Sequence, residues 1–180
     1  PIPANLHALS GGWTPRGIPC SLMNKIAFVF PGQGSQSVGM GHALAESSPV
    51  AAAVFAAADA ALGEPISRLA WEGPEDELNR TENSQPALLA ASIAYLEVVK
   101  ERWYQLGVDI PEPAFAAGHS MGQYSALVAA GALDLADAVR LVRIRGQKMQ
   151  ASGAGHEGRM AAIIGIDDAN LPALVEGPSA

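Results

Sequence analysis

The sequence is short of the residues that would signal several common chemistries. It has a single cysteine, Cys20, in 180 residues, so no internal disulfide can form, and Cys20 has no metal-ligand neighbours. The chain therefore suits a reducing cytoplasm, and Cys20 is given no function. Basic residues are scarce: 11 against 18 acidic, for a formal charge of -7. No Lys/Arg block with interleaved aromatics occurs, which argues against nucleic acid as a partner. No apolar run reaches the roughly 18 residues of a membrane span, because charge, glycine or proline interrupts each alanine-rich stretch.

What the chain does have is apolar bulk. At 49% hydrophobic it can bury a real core, and its length points to one domain with the start of a second. Residues 1–22 contain four prolines and three glycines with little periodicity and read as a disordered tail. They lack the basic start and apolar centre of a signal peptide, and Met23 is a candidate natural start.

Ile26-Ala27-Phe28-Val29-Phe30, closed by Pro31-Gly32, fits a strand buried on both faces of a parallel sheet. Pro49 to Leu62 is an alanine-rich helix, with Gly63 and Pro65 as its stop. Glu72 to Glu82 reads as an acidic surface turn or short helix. From Ser84, a cap candidate with Pro86 in the first turn, Leu89, Ile93, Leu96, Val99 and Trp103 recur at helical spacing, and Tyr95 and Trp103 are expected in the core. Ala114 to Ala117 forms a second short run. A small-residue helix follows to Gly131, and a further helix, capped by Asp134 and Asp137, runs to about Gln150. After a Gly-rich joint, Met160 to Ile166 reads as a strand and Asp167/Asp168 as the cap of a short helix, the opening of another subdomain.

The chemistry centres on Gly118-His119-Ser120-Met121-Gly122. In a Gly-x-Ser-x-Gly elbow the flanking glycines relieve crowding at a tight strand-to-helix turn, and the serine hydroxyl is presented above the sheet. The Met121 backbone N–H would then face an oxyanion forming beside Ser120. A second donor has to come from another loop, for which Pro31-Gly32-Gln33-Gly34-Ser35-Gln36 is the best candidate. The same loop fails as a Gly-x-Gly-x-x-Gly dinucleotide motif, because Ser37 takes the third glycine position.

At about 100° per residue, Arg145 falls among Ala138, Leu141, Val142 and Met149, while Arg140 and Arg143 point elsewhere. An arginine on an apolar face needs an anion: either an internal Asp or Glu, or the free carboxylate of an acyl group gripped through two parallel hydrogen bonds. A serine nucleophile also needs a base, and none of the four histidines is well placed. His7 and His42 lie in the tail and an early loop or helix. Strand alternation turns His119 away from Ser120, and His156 sits in the Gly-rich joint.

Several separated segments together resemble the malonyl-CoA:acyl carrier protein transacylases and the related acyltransferase domains of fatty acid and polyketide synthases. They are Phe28 to Gln36, Ser84-Gln85-Pro86-Ala87-Leu88, the Gly118 to Gly122 elbow, Arg145-Gly146-Gln147-Lys148-Met149, and Gly158 to Gly165. Their number and order make chance an inadequate explanation.

The resemblance implies an α/β fold, with an α/β-hydrolase-like parallel-sheet core and a ferredoxin-like small subdomain inserted after Met149. Residues 23–152 would be the first part of the large subdomain, and 158–180 the start of the small one. It also implies Ser120 as the acylated nucleophile, the Gln33 and Met121 amides as the oxyanion hole, and Arg145 as the partner of the malonyl carboxylate. The implied reaction is cytoplasmic malonyl transfer in fatty acid biosynthesis, from malonyl-CoA to the phosphopantetheine thiol of acyl carrier protein. No metal or bound cofactor is required, and neither nucleic acid nor membrane is a partner.

Two departures stand out. Gln123 takes a position where the family often has glutamate. The family's catalytic histidine lies in a segment beyond Ala180, so the chain reads as truncated and its isolated activity as impaired. The alternatives are an acyltransferase domain of a synthase and an inactive acyl-CoA-binding fragment.

Overall fold

The computed structural model describes residues 26–108, 113–152, 165 and 167–170. Strands β1 (Ala27–Phe30) and β2 (Phe115–Gly118) pair in parallel, with Ala27 opposite Phe115 and Phe30 opposite Gly118. Parallel neighbours need a long crossover, and here it carries five helices: α1 (His42–Ser47), α2 (Pro49–Leu62), α3 (Ile66–Glu72), α4 (Glu75–Asn79) and α5 (Thr81–Gln105). After β2 come α6 (Gly122–Ala129) and α7 (Leu135–Ser152). The result is an α/β arrangement in which helices accompany a small parallel sheet.

Local chemistry accounts for the ends of α2. Ser48 Oγ accepts the Ala51 N–H, Pro49 fills the first turn, where a missing donor costs nothing, and Gly63 closes the helix at φ 70°. Ala51, Val54, Phe55 and Ala58 face a core shared with Leu89, Ile93, Val139 and Val142. The acidic stretch forms the end of α3 and the short α4, of which only Leu78 is buried.

Helix α5 departs from expectation. It begins at Thr81, so Ser84 is a buried interior residue and not a cap, and Pro86 lies inside the helix. An interior proline removes one hydrogen bond to the carbonyl four residues back, here that of Glu82. Arg143 of α7 supplies the missing donor, its Nη1 reaching the Glu82 carbonyl at 2.9 Å. A contact 61 residues away in sequence thus lets the helix run through its proline. Gly146 lets α7 come that close: a Cβ there would lie 2.6 Å from both Glu82 Cα and the Thr81 carbonyl oxygen.

The same contact corrects the helical-wheel reading of α7. Its buried stripe is Leu135, Ala138, Val139, Val142, Arg143 and Gly146. Arg143 therefore points inward, while Leu141, expected beside Arg145, is 45% exposed. Two further corrections concern the sheet and α5. Phe28 and Phe30 pack on Leu96, Ala116 and Ala126, but Val29 on the opposite face is 75% exposed. Helices α5 and α6 cover one face only among the described residues, so β1 is not buried on both. Tyr95, expected in the core, is 52% exposed and Val99 is exposed with it, because they lie on the flank of α5 beside the edge of β1.

The tail over 1–22 lies outside the described residues. So does the strand expected over 160–166, Gly165 excepted. Of 158–180, the described part beyond Gly165 is Asp167 with the 3-10 turn Asp168–Asn170, where the Asn170 N–H donates to the Asp167 carbonyl at 2.9 Å.

Candidate active site

Ser120 sits between the end of β2 and the start of α6, and its φ of 51° makes it the one non-glycine with positive φ among the described residues. A left-handed conformation at a serine costs energy, and close backbone contacts on both sides hold it there. A Cβ on Gly118 would collide with the Gly122 carbonyl group, and one on Gly122 would lie 2.5 Å from the Phe30 carbonyl oxygen. The elbow is therefore pressed against the end of β1 with no room for a side chain at either glycine.

The loop after β1 joins the elbow in the same way. Gly32 is buried under His119: a Cβ on it would lie 2.5 Å from His119 Nδ1 and 2.7 Å from the His119 carbonyl oxygen. The His119 N–H in turn donates to the Phe30 carbonyl. The loop is internally braced, Ser35 N–H donating to the Gly32 carbonyl and Gly34 N–H to Gln36 Oε1 at 2.8 Å. Two side chains tie it to the neighbouring helices, Gln33 Nε2 to Thr81 Oγ1 at 3.1 Å and Gln36 Nε2 to Asn79 Oδ1 at 2.8 Å. Among the described residues, neither the Gln33 nor the Met121 backbone N–H donates to a protein acceptor. The Met121 side chain is wholly buried in the main core, so its contribution beside Ser120 is confined to the backbone.

Arg145 completes the cluster. From α7 its Nη2 donates to Ser120 Oγ at 2.9 Å and its Nη1 to Gln85 Oε1 at 2.7 Å. The guanidinium is half-buried and pairs with no carboxylate among the described residues. Arg143, two residues earlier, is different: its Nη2 is paired with Glu64, and its Nη1 bonds Asn83 as well as the Glu82 carbonyl. A cation fixed on a hydroxyl and a neutral amide keeps its charge available to an incoming anion. The site thus assembles a strained serine, two unengaged amide donors within its loops and an uncompensated guanidinium on the serine oxygen.

A family profile described as the acyl transferase domain matches residues 27–178. The chain belongs to the acyl transferase domain family. It is 52% identical over 154 residues to the malonyl CoA-acyl carrier protein transacylase of Escherichia coli K12, covering 86% of this chain and 48% of that one. It is also similar to a crystal structure of acyl-carrier-protein-S-malonyltransferase from Bartonella henselae, at 48% identity and a TM-score of 0.75, over 84% of this chain and 47% of the other. A malonyl-transacylase solved in complex with a type II PKS acyl-carrier protein aligns at 47% identity and a TM-score of 0.63, over 72% of this chain and 40% of that one. The chain spans about half the length of the curated relatives it matches.

Within this acyl transferase chain, neither described histidine is hydrogen-bonded to the Ser120 hydroxyl, whose partner is Arg145. The His42 ring stacks on Trp71 with centroids 5.0 Å apart and lies 3.8 Å from Glu46. His119 is turned to Gly32, and His7 and His156 lie outside the described residues. Gln123 is exposed on the first turn of α6. Among the described residues no group of three or more His, Cys, Asp or Glu could hold a metal, and no helix is long and apolar enough to cross a membrane. Sequence reasoning missed Gln85 as a site residue, although it lay within a segment that carries the family resemblance.

Proposed function

We propose that this protein takes part in malonyl transfer from malonyl-CoA to the phosphopantetheine thiol of acyl carrier protein, through a malonyl ester on Ser120. The observation that carries the reading is the Arg145 guanidinium, held on Ser120 Oγ by hydrogen bonds that, among the described residues, go to neutral groups alone. The names of the relatives, for malonyl transfer between CoA and acyl carrier protein, support it.

In this reading Ser120 Oγ attacks the thioester carbonyl while its proton passes to a base. The Gln33 and Met121 amides stabilise the oxyanion, and the C–S bond breaks to release CoA as its thiol. The phosphopantetheine thiol then attacks the serine ester and regenerates the Ser120 hydroxyl. Arg145 grips the free carboxylate of the malonyl group by a two-pronged hydrogen bond, and so selects it over a neutral acyl chain. The chemistry calls for no metal or bound cofactor, and the setting is the cytoplasm.

The proposal extends to architecture. The described α/β layer would form the first part of an α/β-hydrolase-like core over 23–152, with a ferredoxin-like subdomain beginning at 158–180. The base, by family resemblance a histidine, would lie outside residues 1–180. These residues alone would then transfer malonyl slowly, since a positioned general base is worth ~10²–10⁴-fold.

Residues 1–180, and a chimera completed with the second half of the Escherichia coli relative, are to be incubated with malonyl-CoA and mapped by peptide mass spectrometry. A malonyl adduct on Ser120 is expected at a useful rate in the chimera, far more slowly in residues 1–180, and not at all in Ser120→Ala. An adduct that survives Ser120→Ala removes Ser120 from the mechanism. Chimera-like rates from residues 1–180 would bring His119 and His156 back as bases.

A further inference from the structure

We infer that Gln85 is a positioning residue for acyl selection: it holds one arm of Arg145 so that the other stays at Ser120, and it does so without neutralising the guanidinium. The inference rests on the carboxylate-selecting role proposed for Arg145 and supplies the reason that the fork is already aimed.

Gln85 is 0% exposed, an unusual place for an amide unless both of its ends find partners. They do. Oε1 accepts from Arg145 Nη1 at 2.7 Å, and Nε2 donates to the Met149 thioether at 3.4 Å. The reversed amide would set NH2 against a guanidinium that has only donors, so the polarity of the pair is fixed. Both partners lie on α7, one helical turn apart, and α7 is drawn against this part of α5 by Gly146 and by Arg143 on the Glu82 carbonyl. Gln85 therefore meets a braced surface.

The neutrality of the amide is the point. Arg68, Arg80, Arg140 and Arg143 each pair with a carboxylate, whereas Arg145 is given a carbonyl oxygen, which orients the guanidinium and leaves its charge unmatched among the described residues. Glutamate at the same place would have the same shape and would occupy the fork with an internal ion pair. Arginine also carries considerable rotamer freedom. Holding one arm in advance lowers the cost of ordering it when an anion arrives.

The test is titration calorimetry of malonyl-CoA and acetyl-CoA into residues 1–180, a measurement that needs no catalytic base. The proteins are wild type, Gln85→Glu, Gln85→Leu and Arg145→Ala, with a melting curve for each. Wild type is expected to prefer malonyl-CoA. Gln85→Leu should cut that preference roughly tenfold, the loss of one hydrogen bond to a charged group. Gln85→Glu should cut it at least as far, and acetyl-CoA binding should hold steady in both. If Arg145→Ala loses the preference while both Gln85 variants keep it, or if both ligands weaken in parallel, Gln85 serves packing alone and the inference is overturned. A wild type without preference overturns the Arg145 reading itself. Should Gln85→Leu fail to melt cooperatively, the isosteric Gln85→Glu decides.

Discussion

The seam between α5 and α7 holds two arginines at its two edges, and they have opposite surroundings. At one edge Arg143 is buried and both of its Nη groups are engaged, shared among Glu64, Asn83 and the carbonyl that Pro86 leaves without a donor. At the other edge Arg145 is half-buried and, among the described residues, hydrogen-bonds only the Gln85 amide and the Ser120 hydroxyl. The first cation is consumed by the fold; the second is held in place and left uncompensated. A buried arginine is thus not in itself a sign of a ligand, and what distinguishes a binding group is a set of partners that fix its direction without cancelling its charge.

This contrast can be broken by removing each arginine in turn. The larger effect is expected from Arg145→Ala, which should lower the preference for malonyl-CoA over acetyl-CoA by about 10- to 100-fold, read as a binding ratio, with the melting temperature near wild type. Equal losses for both ligands would make the two arginines alike and remove the distinction. Arg143→Ala should show the converse: a loss of about 2 kcal/mol in urea unfolding, mostly from the stranded Glu82 carbonyl, with the malonyl preference retained. The Glu64 pair adds little, because that carboxylate is half exposed and solvent screens it. The smallest effect sharpens the boundary of the buried stripe. Leu141→Ala should change stability by no more than ~0.5 kcal/mol, and a loss typical of a core leucine would put Leu141 back on the inner face.

Residues whose roles depend on their immediate neighbours were legible in the sequence. The elbow is one, since its glycines answer crowding within five residues. The ends of α2 are another, where Ser48, Pro49 and Gly63 act on their own helix. Reading failed where the deciding partner was far along the chain. Pro86 reads as a first-turn residue because the donor that rescues an interior proline comes from α7. The wheel of α7 brought Arg145 forward but rotated the stripe, since an apolar count has no means of assigning Arg143 to the inside. Gln85 stands within a family motif with no role that local sequence can assign, because a buried amide is explained only by Arg145 and Met149, 60 and 64 residues on. The run from Ile26 to Phe30 is apolar at every position, so it does not tell a strand covered on both faces from one covered on a single face.

The crowding around Gly32, Gly118 and Gly122 has a genetic consequence. Every other amino acid carries a Cβ, and at each of these positions that one atom would meet His119, Gly122 or the Phe30 carbonyl group. No replacement there is conservative, however small, so single substitutions have no neutral neighbour to pass through. Gln33, one residue along, is exposed, and a replacement side chain there meets no such wall: what it gives up is the exposed hydrogen bond to Thr81 that ties the loop to α5. The geometry of the turn is thus written in positions that cannot vary by degrees, and any gradual tuning of the site has to come from the side chains around it.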